Sequence, residues 1–364
     1  TSVKPLSYEE ASFDFDLQLI AAYEEQKTDN HIVGQPRAMR SLQLGLSLEK
    51  SGYNIFVSGD SGSGRHEAVR HCIEQIRYDI SKLRDIVYVC NFQQPDTPKV
   101  LIFDPGDGQR FSDAMLAFNQ QILELAKDKK TFSERALELL DTLEKEFSVQ
   151  LQVAEYFIHL RSDIARQASH IQHLEPKALK NDPIATRYRA NLVVNHAQST
   201  ARPLIIESHP SFTNLFGSID PHEKTPHLSL HPGSLLEAFG GFIVIDADEL
   251  LSETGLWDEL KRYLDANALV LESGNPSKGE LRSPVRPEIV PLPIKVILIG
   301  SEDTFDTLTE GDERFLTLFK ICAQFDYSMP LEEKTVFQTI TNLKAYSEEH
   351  NLLPLTDTAY AQLL

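Results

Sequence analysis

The chain has 364 residues, 41% of them hydrophobic, enough for one large domain with an appendage or for two domains. Its net charge of −19 argues against nucleic-acid binding over the whole surface, and no long Lys/Arg run marks a local basic patch. Cys72, Cys90 and Cys322 lie far apart without a CxxC pair, no apolar run approaches the ~20 residues of a membrane helix, and the start TSVKPLSYEE is no signal peptide. A cytoplasmic protein without a membrane partner is expected.

In chain order, residues 1–30 read as a polar lead-in with a short helix around FDLQLIAAYEEQ. Apolar residues at helical spacing after Pro36 predict a helix starting there. NIFVSG (54–59), DIVYVCNF (85–92), FIVIDAD (242–248) and KVILIGS (295–301) are continuous apolar runs bounded by turn residues, the pattern of a parallel sheet covered on both faces. Helical patterns between them point to an α/β layered domain.

Residues 132–175 break this rhythm, with almost no glycine or proline. Phe132, Leu139, Leu143, Phe147, Leu151, Ala154, Ile158 and Ala165 recur at three-to-four spacing and predict long helices; a stripe packed on the main domain is the favoured reading, and an arm that contacts substrate or a neighbouring subunit is the alternative. Strands resume with ANLVVNH and PLIIES, and the proline-punctuated stretch 273–295 reads as a hairpin or loop. The last segment shows one helix and the start of another, a small helical domain cut short.

GDSGSGRH (59–66), between an apolar run and a helical pattern, has the glycine spacing of a phosphate-cradling loop, G-x-x-x-x-G-K-[ST]. Gly59, Gly62 and Gly64 allow a backbone path that turns N–H groups inward, and the helix N-terminus adds its positive end. The two positions that usually act on the phosphates and the metal differ. Arg65 replaces lysine with a planar fork, and His66 replaces the hydroxyl that ligates magnesium, a cation that prefers oxygen. FGGFIVIDADEL (239–250) supplies the matching acidic strand end: Asp246 stands where the magnesium shell is oriented. Ala247 follows where a glutamate usually polarises water, with Asp248 or Glu249 as a displaced substitute. The histidines, among them His170 and His173, form no convincing metal set.

IVGQ (32–35), GDSGSGRH, NLFGSID (214–220), PGSLLEAFGGFIVID (232–246) and KVILIGS together resemble the AAA+ module of Lon-related bacterial proteases, nearest to the LonB/LonC-like group, over nearly the whole chain. The resemblance implies an α/β P-loop NTPase (AAA+) parallel-sheet domain at 31–109 and 186–330. It also implies a long helical insertion at 110–185 and the start of an all-α lid at 331–364. It implies that Ile32 and Val33 contact adenine, and that Gly59, Gly62, Ser63, Gly64, Arg65 and His66 surround the phosphates of ATP or ADP. Asp246 then lies in the Mg2+ shell, and Ser301 takes the sensor-1 position. Arg314 or Lys320 is the residue offered to a neighbouring subunit's site, and the loop 218–230, with Ile219 or Leu228 as gripping side chains, faces the pore.

The function implied is that of a homo-oligomeric ring that recognises unfolded protein and threads it toward a C-terminal serine–lysine protease domain, with weak ATP hydrolysis or none. A nucleotide-independent gating and oligomerisation scaffold is the alternative, favoured by Arg65, His66 and Ala247. Restoring Arg65→Lys, His66→Thr and Ala247→Glu together is expected to raise ATPase activity. A DNA-directed role would need a basic surface or recognition module, and the sequence shows neither.

Overall fold

The computed structural model describes residues 5, 7, 20, 32–126, 131–148, 150–173, 182–272, 283–329 and 332–363. Apart from Ile20, the expected lead-in helix lies outside these residues, as does 273–282 of the proline-punctuated stretch. The described residues cluster into two compact units. One takes those up to Ser47, Val57–Ile76 and those from Cys322 on; the other takes Leu48–Phe56 and Arg77–Ile321.

The strands are β1 (Ile55–Ser58), β2 (Asp85–Val89), β3 (Lys99–Phe103), β4 (Asn191–Val194), β5 (Leu204–Glu207) and β6 (Ser218–Ile219). They continue with β7 (Leu230–His231), β8 (Phe242–Asp246), β9 (Ala268–Leu269), β10 (Val290–Pro291), β11 (Lys295–Gly300) and β12 (Ile321–Gln324). A five-stranded sheet has the order β12-β1-β11-β8-β5, and its β11–β8 and β5–β8 pairings are parallel. β11 is buried at every position, which explains its uninterrupted apolar run.

β2 departs from the parallel-sheet reading of DIVYVCNF. It pairs antiparallel with β3 and β4 in a separate three-stranded sheet. The run looks continuous because its alternate residues serve two cores. Ile86 and Tyr88 join the core around β8 and β11, while Val87 and Val89 join a second core with the helices that follow.

Those helices are Asp107–Leu125, Phe132–Phe147 and Leu151–His173, the last two packed on each other. Their core reaches back to Val87 in β2, upstream of residue 110 where the sequence suggests that the insertion starts. Three of the eight expected stripe residues are also displaced. Leu151 and Ile158 are 76% and 60% exposed, and Ala165 is exposed, whereas Val153, Phe157, Leu160 and Ile164 are buried. The break between Phe147 and Leu151 resets the helical phase, so a count carried across it selects the wrong face.

In the other unit, a helix begins at Pro36 as expected (Pro36–Ser47). Helices Glu333–Glu349 and Asp357–Leu363 bury Val336, Phe337, Ile340 and Tyr360 together with Ile20.

Candidate functional site

The glycine loop leaves β1 and runs into helix Arg65–Glu74. Gly59, Gly62 and Gly64 have φ of 152°, 84° and 81°, a path that side-chain-bearing residues rarely take. At Gly59 the approach is close as well: a Cβ would stand 2.8 Å from the Cβ of Phe325. Helix Arg65–Glu74 has no side-chain cap on its first turn, so main-chain N–H groups and the positive helix end are what it offers. The Ser63 hydroxyl is enclosed and has no hydrogen-bond partner among the described residues, and it lies 3.3 Å from the place that a Gly59 Cβ would take. An orphaned donor inside an anion-shaped loop fits a nucleotide phosphate.

Ile32 borders the loop, its Cδ1 being 3.4 Å from a notional Gly64 Cβ. Val33 follows it in the chain, half-buried like Ile32. The segment is held to the residues after β12: Gln35 donates to the Asp326 carbonyl at 2.8 Å, Asp326 N–H donates back at 2.9 Å, and Arg37 pairs with the Asp326 carboxylate at 2.7 Å. Arg65 is half-buried and His66 is exposed.

The acidic half stands by itself as a polar chain. Asp246 ends β8 and caps helix Ala247–Ser252, its Oδ1 accepting from Asp248 N–H and Glu249 N–H at 3.0 Å. Ser301 follows β11 and caps helix Glu302–Gly311, accepting from Thr304 N–H at 3.0 Å. The Thr304 hydroxyl then lies 2.7 Å from Ser301 Oγ and donates to the Asp248 carboxylate, so Thr304 ties the two strand ends together. Sequence reasoning names Asp246, Asp248 and Ser301 but misses Thr304; the S-x-x-T spacing after an apolar strand is its signal. Ala247, next to Asp246, is fully buried.

These residues suit magnesium less well than the loop suits phosphate. His66 presents ring nitrogens where a hydroxyl oxygen usually ligates, and one Asp246 oxygen is already held by two N–H groups.

The segment expected to face the pore is a hairpin of β6 and β7. Ile219 is only 6% exposed and belongs to the core, which corrects its assignment as a gripping side chain. Leu228 is half-buried in a short turn, and the exposed tip is Pro221, His222, Glu223 and Lys224. The hairpin base is anchored on residues around β4. Buried His227 donates through Nε2 to the Arg189 carbonyl at 2.9 Å, and Asn191 donates to the carbonyls of His227 and Leu230. Arg314 is exposed and pairs with Asp265 at 3.1 Å, whereas Lys320 lies over the Tyr53 ring at 4.9 Å.

Residues 200–326 match the family model described as LonB-like, AAA domain, and residues 85–118 match Lon-like LonC helical domain. The second match begins at Asp85, where β2 begins. A putative Lon protease homolog of Haemophilus influenzae is 33% identical over 99 residues, which make up 27% of this chain and 16% of that protein. A chain from the complex between subunits BchI and BchD of magnesium chelatase is similar at a TM-score of 0.39 and 16% identity, over 90% of this chain and 71% of that one. Among the described residues no helix is long and apolar enough to cross a membrane. The two family matches, with the five-stranded sheet and the glycine loop that follows β1, support a Lon-related AAA+ module.

Proposed function

We propose that this module binds adenine nucleotide through residues 59–66 and hydrolyses it weakly or not at all. In this reading it acts in the cytoplasm as a homo-oligomeric ring that grips unfolded protein for a Lon-type protease domain. The observation that carries nucleotide binding is the loop itself: three glycines at positive φ, an uncapped helix start and an enclosed, unpartnered Ser63 hydroxyl. Poor hydrolysis follows from His66 in the hydroxyl position and from Ala247, whose buried site supplies no base; removing a positioned base typically costs roughly 10²–10⁴-fold. Asp248, tied to Thr304, is the remaining carboxylate for orienting water. The exposed hairpin tip Pro221–Lys224, rather than Ile219, is the surface offered to polypeptide.

The test is calorimetric titration with ADP and with ATP, in magnesium and in EDTA, beside a phosphate-release assay. Saturable binding that EDTA weakens little, with negligible phosphate release, is expected. Rapid magnesium-dependent release would sink the reading of impaired chemistry. Absence of binding at millimolar nucleotide by a folded chain would favour the nucleotide-independent scaffold instead.

A further inference from the structure

We propose that the cavity at the start of β11 is a second anion site, built for a small multivalent oxyanion of phosphate chemistry. It has a volume of 330 Å³ and is lined by the cations Lys50, Lys82, Arg84, Arg202 and Lys295, with Glu49 as the one carboxylate in its wall among the described residues. That volume is in the range of small-ligand sites. Two further carboxylates lie nearby, Asp104 paired with Arg84 at 3.3 Å and Asp79 beside Lys82, and positive charge still predominates. Such an excess stands out in a chain whose net charge is −19.

The two innermost cations are already positioned. Lys295, the first residue of β11, is 7% exposed and donates to the main-chain carbonyls of Leu48 and Tyr53. Both acceptors are neutral, and an ammonium has three donors. The Arg202 side chain is 13% exposed. Its guanidinium lies over the rings of Tyr78 and Phe242 at 4.3 and 4.7 Å. Nε donates to the Gly240 carbonyl at 2.9 Å, and one terminal nitrogen reaches exposed Glu49 at 3.1 Å.

Neighbouring buried cations are costly unless an anion compensates them. Burial, and then the charge of Arg202, push the Lys295 ammonium down to about 8. An oxyanion seated between them would offset both costs through charge-assisted bonds, with exposed Lys50 and Lys82 closing over it from the rim. This site is separate from the acidic half of the nucleotide site. Gly240 precedes β8 and Lys295 opens β11, whereas Asp246 and Ser301 stand at the far ends of those parallel strands.

Inorganic tripolyphosphate is the probe, and lysine acylation read peptide by peptide in a mass spectrometer is the measurement. At ten times its Kd, tripolyphosphate should slow acylation of Lys50 and Lys82 by about tenfold and leave Lys224 on the hairpin tip unchanged. Sodium chloride at matched ionic strength should not protect them. A Lys50→Ala variant should keep its circular dichroism spectrum and need about tenfold more tripolyphosphate to protect Lys82 from acylation. Equal labelling with and without tripolyphosphate, or equal protection by chloride, would overturn the proposal. Because the readout is specific to these lysines, anion binding at residues 59–66 neither mimics nor masks the result.

Discussion

Ala247 and Gly300 touch where the acidic strand end meets β11: a Cβ on Gly300 would stand 3.0 Å from the Ala247 Cβ and 2.9 Å from the Phe56 ring. Ala247 has no exposed surface, so the position after Asp246 is closed to a long polar side chain.

Ala247→Glu should therefore damage the protein rather than repair it, reversing the expectation for the Arg65→Lys, His66→Thr, Ala247→Glu triple variant. Forcing a carboxylate into this contact should lower the unfolding free energy by about 3 kcal/mol or more. Urea unfolding followed by circular dichroism measures this, and a triple variant of normal stability with raised ATPase activity would refute the steric account.

The phase of helix Leu151–His173 is tested by two alanines. Leu160 is fully buried, and Leu160→Ala should cost about 2–5 kcal/mol. Ile158 is 60% exposed, and Ile158→Ala should stay within about 0.5 kcal/mol. Equal losses in urea melts would restore the stripe expected from spacing.

Asp163, 1% exposed on that helix, accepts from Arg187 at 2.7 and 2.9 Å, from the Tyr188 hydroxyl at 3.2 Å and from Arg166 at 3.2 Å. Asp163→Ala strands the Arg187 cation and should cost about 3–5 kcal/mol. An Asp163→Leu/Arg187→Met double variant, which removes both charges, should be more stable than Asp163→Ala in the same denaturation assay.

His227 links stability to pH. Burial, chiefly, holds its imidazole down to about 4, against an ordinary value of 6.5, with the charges of Arg187 and Arg189 adding to the effect. The unfolded chain binds this proton more readily, so the contribution is fully present above pH 6.5 and is lost as pH falls toward 4. Its full size is about 3 kcal/mol. His227→Gln should flatten the fall in unfolding free energy between those pH values, and an unchanged slope would exclude His227 as its source.

Much of the site is legible in the sequence. The positions of Gly59, Gly62, Gly64, Asp246 and Ser301 follow from motif spacing; Gly59, Asp246 and Ser301 stand at or just past the end of an apolar run that is a strand, and Gly62 and Gly64 lie in the loop that leads to helix Arg65–Glu74. Ile219 is not legible in the same way, because an apolar residue in a two-residue strand gives no sign of which face is covered. Thr304 is hidden for another reason. Its role depends on Asp248, a partner 56 positions away in the chain.

The glycine loop, the buried strands and the helix-rich segment are readable from contiguous residues. Backbone freedom, capping and hydrophobic period are properties of neighbours along the chain. Three features required the folded chain: the antiparallel pairing of β2, the enclosure of Ala247 and the gathering of Lys295 with Arg202. Each depends on groups remote in sequence meeting at van der Waals or hydrogen-bonding distance. Composition and spacing record how much surface must be buried, but not which partner buries it.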